Sequence, residues 1–412
     1  MKNQTPPLLL AIILSLQFAA CTPKISTPSN IASDEQLNRG ETLIADLGRK
    51  IFTDRRLSEP QGMACASCHN PAQAFTGNNG SSIAGVAAGA LPNTFGNRNS
   101  PTAMYAQFSP EFNFSAELND VGLTEYTPNG GQFWDGRATN LAEQAKGPFL
   151  NAREMNNPSK ASVVDKIAEG PYAEQFLAVF GSNAFAFKDK AYDQVAEAIS
   201  AFEHSAKLAP FKSKFDAVLQ GQEQFTELEA QGFALFQDPE KGNCIACHAG
   251  NQDSKKPSDW LFTDFTYDNL GVPRNSEIID NRDPSHFDLG LCQQSGLAGR
   301  MPQGFDLDSV CGAFKVPTLR NIALTGPYMH NGSFKSLRAV VKFYVTRETN
   351  PDFWYPSDET GKILKYNDLP ETYQKNVNVD EVPYDRKLGE QPRLDDSEID
   401  AVVAFLQTLT DR

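Results

Sequence analysis

Histidine is scarce in this 412-residue chain: there are five, and none falls between residues 70 and 203. A metal centre that draws on residues 70–203 to supplement His69 therefore has only non-histidine ligands such as Met104 or Met155. A lone methionine is more often core filling. Basic residues are short as well. Lys and Arg number 37 against 51 Asp and Glu, a formal charge of −14, which argues against nucleic acid and anionic membrane surfaces as partners. The one long apolar run, Leu8 to Ala20, is too short to span a bilayer as a mature helix. Composition is otherwise that of a globular protein, long enough for two or more domains.

That apolar run follows Lys2, the only charge in the first twenty residues, and ends in Phe18-Ala19-Ala20-Cys21. Residues 1–21 read as a signal segment with a lipobox, and cleavage before Cys21 would leave a diacylated cysteine as a membrane anchor. Phe18 is an unusual residue at its position, so simple secretion stays open. Residues 22–33 are rich in Ser, Thr, Pro and Asn and read as a tether. Either route places the mature chain outside the cytoplasm, in the periplasm.

What the chain does have is two copies of one short pattern, Cys65-Ala66-Ser67-Cys68-His69 and Cys244-Ile245-Ala246-Cys247-His248. C-x-x-C-H is the attachment signature of a c-type haem. Cys65, Cys68, Cys244 and Cys247 each add to a haem vinyl group, and His69 and His248 sit under the rings as iron ligands. A four-cysteine zinc site is the alternative, disfavoured by the histidine that follows each pair at once and by the distance between the pairs. Cys292 and Cys311 remain and can form a disulfide in an oxidising compartment.

Both motifs have the same approach. Thr226 to Glu229, like Ser33 to Gln36, is a capping-box pattern. Gly48-Arg49-Lys50-Ile51-Phe52-Thr53-Asp54 is echoed by Gly232-Phe233-Ala234-Leu235-Phe236-Gln237-Asp238. This weak repeat divides the chain into an N-terminal haem domain, residues 34–210, and a C-terminal one, residues 211–412. Helical periodicity covers Lys160 to Phe180 and Asp189 to Ala206, residues 207–224 join the domains, and 249–320 is largely loop. Lys335 to Tyr344 is a short helix, and Ser397 caps a last one carrying Ile399, Val402, Val403 and Leu406. The expected fold is mainly α, two cytochrome c-like haem domains with long loops.

The stretches Arg98-Asn99-Ser100-Pro101-Thr102, Phe133-Trp134-Asp135-Gly136-Arg137, Glu143-Gln144-Ala145, Gly147-Pro148, Glu154-Met155, Lys315 to Asn321 and Pro327 to Gly332 carry a resemblance over nearly all of the mature chain. It resembles the bacterial di-haem cytochrome c peroxidase and MauG family. The resemblance implies hydrogen peroxide reduction at the first haem. Glu154 would be the acid–base group there, with Gln144 and Pro148 as its neighbours over the ring. Trp134 would stand between the haems, and Asn99 with the carbonyls of Thr325 and Pro327 would hold a calcium ion. The implied donor is a small cytochrome, a cupredoxin, or a Trp or Tyr side chain of a protein substrate.

Two departures matter. Where the peroxidase branch ligates its second iron by methionine, this chain has Tyr344, as MauG-like proteins do, so Tyr344 is the expected ligand. Where some relatives place a histidine before the Asn-Ser-Pro-Thr stretch, this chain has Leu91 to Gly96, so the first iron should be open at rest. No tryptophan stands beside Gly242, where MauG presents one, which leaves Trp260 and Trp354 as candidates for a surface relay. About Phe108 to Asn129 is an insertion that shapes a pocket rim or a partner surface. The alternative function is a non-enzymatic di-haem electron-transfer cytochrome, which requires a sixth ligand on the first iron.

Overall fold

The computed structural model describes residues 34–412 except 84, 119–121 and 295, with side chains from residue 43 onward. The signal segment, Cys21, the tether and the Ser33 cap lie outside the described residues. Residues Gly40–Arg412 form one compact unit, mostly helical with little strand. In chain order the elements are α1 (Asp34–Phe52), α2 (Cys65–Cys68), β1 (Asn113–Leu118), β2 (Thr124–Asn129), α3 (Leu141–Leu150), α4 (Lys160–Ala168), α5 (Ala173–Phe180) and α6 (Lys188–Glu203). They continue with α7 (Lys214–Leu219), α8 (Glu227–Gln237), β3 (Tyr267–Asp268), β4 (Phe314–Lys315), α9 (Leu337–Thr346), α10 (Pro351–Trp354) and α11 (Asp396–Gln407).

Two large apolar cores lie inside this unit. The first joins Leu47, Ile51 and Phe52 of α1 to Val163, Ile167, Phe176, Val195, Ile199 and Phe202. The second joins Phe215, Phe236, Trp260 and Phe262 to Val402, Phe405 and Leu406 of α11. The same close crossing builds each. A Cβ on Gly48 would stand 1.7 Å from the Ala198 carbonyl oxygen of α6, and one on Gly232 would stand 1.9 Å from that of Ala401 in α11. Only a glycine lets these backbones meet so closely. The receiving helices share Ala-x-x-Ala-Phe, at residues 198–202 and 401–405, so the repeat extends beyond the haem motifs.

Capping explains most helix starts. The Thr226–Glu229 box opens α8 as expected. The expected cap of α11 is corrected: Asp395 accepts from the Ser397 and Glu398 backbone, while the Ser397 hydroxyl donates to Asp395. The segment expected only to join the domains contains α7, opened by a Ser213–Asp216 box. The helical stretch from Lys160 to Phe180 is two helices parted at Gly170-Pro171, because proline lacks the N–H that would continue the ladder. The insertion after Phe108 is an antiparallel hairpin of β1 with β2, mostly exposed, with Glu117 opposite Glu125. Its base is tied down by Asn129 to the Asp264 carbonyl (2.9 Å) and by Phe114 edge-on to Phe305.

Residues 249–320 are loop with 3₁₀ turns and two short strands, β3 and β4, paired antiparallel. Cys292 and Cys311 are bonded as a disulfide within it.

Candidate active site

Helix α2 presents Cys65 and Cys68 one turn apart, with His69 at its end. The His69 Nδ1 lies 3.2 Å from the Phe75 carbonyl oxygen, which makes it the donor and leaves Nε2 free to bind a metal. The second motif forms a 3₁₀ turn, and there His248 Nδ1 is 3.0 Å from the Phe262 carbonyl. Burial lowers both imidazole pKa values and keeps them neutral, as iron ligation requires. Burial pushes all four thiols up, Cys68, Cys244 and Cys247 to about 12. Among the described residues the four cysteines do not come together, so the zinc alternative has no site.

Two cavities flank these motifs. The larger is mostly apolar and is lined by Cys244, Cys247 and His248, with Phe236, Val341, Tyr344 and Leu406 among its walls. A c-type haem fits it: two thiols, a histidine with its Nε2 free, and apolar faces. The smaller is lined by Phe133, Arg137, Ala138, Glu143, Gly147, Pro148, Asn151 and Glu154. Glu154 accepts from Asn151 Nδ2 at 2.8 Å, and burial raises its pKa against the pull of Arg137. Its charge acts on both Cys65 and Cys68, which places the carboxylate beside the first motif. Glu203 at the end of α6 also acts on Cys65. It is 4 % exposed, its Oε2 has no partner, and burial pushes its carboxyl up to about 8. An orphaned polar atom at that spot suits a site that receives a further group.

Pro148 and Glu154 thus share one cavity. Gln144 stands one turn before Pro148 on α3, half-buried, and is not among that cavity's lining residues. Arg137, absent from the sequence expectation, lies 3.5 Å over the Phe133 ring and pairs with Asp135 at 2.9 Å. Its only sequence signal was its place in the Phe-Trp-Asp-Gly-Arg stretch.

Phe133 lines both cavities, and Trp134 beside it lines the larger one. The indole is fixed at both ends of its residue: Nε1 donates to the Asn99 carbonyl (2.8 Å), and its own carbonyl accepts from Lys315 N (2.8 Å). Arg98 holds the next residue, Asp135, at 2.6 Å and Asp288 at 2.6 Å, all three largely buried.

Tyr344 lines the same cavity as His248. Burial raises its phenol pKa and Arg347 opposes the rise. Tyr384 packs 5.7 Å from it, centroid to centroid, under the Arg347 guanidinium at 4.4 Å. Asn99, Thr325 and Pro327 line this cavity too; the Asn99 amide donates to the Pro327 and Met329 carbonyls at 2.6 and 3.2 Å. Met104 and Met155 are buried in the first core. Trp260 is 3 % exposed inside the second, which removes it as a surface relay; Trp354 is half-buried beside the exposed Phe353.

The arrangement defines a two-haem c-type oxidoreductase. The family profile described as di-haem cytochrome c peroxidase matches residues 43–224. The methylamine utilization protein MauG of Paracoccus denitrificans is 35% identical over 401 residues, covering 96% of each chain. The cytochrome c551 peroxidase of Nitrosomonas europaea is 31% identical over 328 residues, 78% of each. The crystal structure of the diheme peroxidase BthA from Burkholderia thailandensis aligns with a TM-score of 0.81 at 39% identity, covering 89% of this chain and 86% of that one. This chain belongs to the di-haem cytochrome c peroxidase and MauG family. It is a haem peroxidase-type oxidoreductase with two c-type haems. Among the described residues no helix is long and apolar enough to cross a membrane.

Proposed function

We propose that hydrogen peroxide is reduced beside the Cys65–Cys68–His69 motif and that electrons reach it from a donor through the Cys244–Cys247–His248 site. The observation that carries this reading is the smaller cavity, whose lining holds two carboxylates, Glu143 and Glu154, but no histidine, methionine or cysteine. An iron facing it would meet no side-chain ligand among those residues. His69 and His248 would hold the two irons, and haem supplies the electrons that cleave the peroxide O–O bond. Glu154 takes the proton from the near peroxide oxygen and returns it to the far one, which departs as water. Its raised pKa suits a group that must both accept and donate a proton. Pro148 narrows the cavity, and Gln144, one turn before it on α3 and outside that lining, would orient the peroxide by hydrogen bonding from its margin.

Trp134, which lines the larger cavity next to Phe133, is the aromatic step for electrons. Tyr344 would close the second iron with its phenol oxygen, and a phenolate ligand favours the oxidised metal. That preference disfavours ordinary periplasmic donors and supports oxidation of a Trp or Tyr side chain in a partner protein over a small cytochrome or cupredoxin. The same reading divides the chain into haem domains at residues 34–210 and 211–412, places it in the periplasm on a Cys21 lipid anchor, and assigns calcium to Asn99, Thr325 and Pro327.

Electron paramagnetic resonance of the resting holoprotein tests the site. One high-spin and one low-spin ferric signal are expected, and Tyr344→Phe should alter only the low-spin one. Two low-spin signals would mean an electron carrier, and a spectrum untouched by Tyr344→Phe would remove that ligand.

A further inference from the structure

Lys315 is a cation in an apolar place with no anion assigned to it. It sits on β4 opposite Tyr267, its backbone fixed to the Trp134 carbonyl. Its Nζ donates to the Gly131 carbonyl and lies 3.3 Å from Ser109 Oγ, both neutral. The carboxylate whose charge acts on it, Asp135, is engaged by Arg98 and Arg137. Burial pulls the amine down to about 8, the mark of a charge that lacks its counter-ion.

The side chain lines the larger cavity. Among the described residues it is the one lysine or arginine that does so; of the four acids there, Asp288 and Asp368 are paired with Arg98 and Arg274, while Asp268 and Glu381 lie together beside Cys247. A porphyrin bound through its vinyl edge to Cys244 and Cys247 brings two propionates on the opposite edge. These anions enter an apolar cavity and need a cation or a polar outlet.

We propose that Lys315 is the counter-ion of a propionate on the haem held by Cys244 and Cys247, and so a positioning residue for that haem beside Trp134. Lys315 then ties the ring edge and the Trp134 backbone to one residue. A cation at the ring edge stabilises the reduced, less positive iron, so its removal favours the oxidised form. The inference rests on a haem filling this cavity, which a count of two haems per chain checks separately.

The test is an electron paramagnetic resonance-monitored redox titration of the holoprotein, Lys315→Met against Lys315→Arg, with both haem midpoints followed. One midpoint should move to more negative values in Lys315→Met and return towards wild type in Lys315→Arg. Two unmoved midpoints, or an arginine variant displaced as far as the methionine one, overturn the assignment. Where Lys315→Met yields no holoprotein, a crystal structure of the wild-type holoprotein decides. Nζ within hydrogen-bond reach of a propionate of the Cys244–Cys247 haem supports the pairing; Nζ on the other haem's propionate, or on none, refutes it.

Discussion

Removing the Arg320 side chain should be among the most damaging single changes outside the haem motifs. Arg320 is 0 % exposed and Asp216 is 2 % exposed. Its Nη1 bonds both Asp216 carboxylate oxygens at 2.8 Å, Nε donates to the Trp260 carbonyl at 2.8 Å, and Nη2 donates to the Pro257 carbonyl at 2.9 Å. The guanidinium also lies 4.9 Å from the Phe211 ring centroid and 5.4 Å from that of Tyr105, so residues of both halves of the chain grip it. Arg320→Met keeps the bulk but strands a carboxylate whose other partners are Ser213 N and Oγ. Breaking such a pair from one side costs about 3–5 kcal/mol, whereas replacing both partners is often close to neutral. Arg320→Met should therefore lose several kcal/mol in guanidinium denaturation of the holoprotein. Adding Asp216→Asn should recover roughly 1–2 kcal/mol of that. Arg320→Lys, with charge but no planar fork, should fall between. A methionine variant within about 1 kcal/mol of wild type, or no recovery in the double variant, would show that the pair is not the source of stability argued here.

Glu154→Gln should slow the reaction with peroxide by roughly 10²–10⁴-fold in stopped-flow measurements, with haem content unchanged. In the wild type the rate should fall as pH drops through a point above the usual carboxylate range, because burial raises this pKa and the base form is lost sooner. Gly48→Ala and Gly232→Ala should each lower the melting temperature clearly. The Cβ would meet a backbone oxygen at 1.7 or 1.9 Å, and the gain of about 1 kcal/mol in helix propensity cannot offset that clash. Reducing the Cys292–Cys311 bond, which spans 19 residues, or replacing both with alanine, should cost about 3 kcal/mol by chain-entropy arguments, measured by denaturation with and without reductant.

The candidate haem-attachment residues are legible in the sequence because covalent attachment demands contiguous side chains, so Cys65 to His69 and Cys244 to His248 stand out without tertiary knowledge. The Gly48 and Gly232 repeat was visible too. Its other half, Ala-x-x-Ala-Phe in α6 and α11, carries no signal of its own, since two alanines in a helix are ordinary until a glycine is seen to need them. The β1–β2 hairpin left no trace because both its faces are largely exposed, which removes the alternation that marks a half-buried strand. Trp260 misled for the opposite reason: an indole in a loop looks available, yet this one fills the second core. The Arg98–Asp288 pair spans 190 positions in the chain, and no local pattern could have joined them.

Asp411 receives the Tyr105 hydroxyl at 2.8 Å, the Lys212 backbone N–H at 2.8 Å and the Asn321 amide at 2.8 Å. One carboxylate thus fastens a residue from the early chain, one from its middle and one from its later part. In chain order these three all precede the residue that joins them. A contact that needs Asp411 can form only once the residues it joins are already in the chain, so this tie depends on a residue far in sequence from Tyr105 and Lys212.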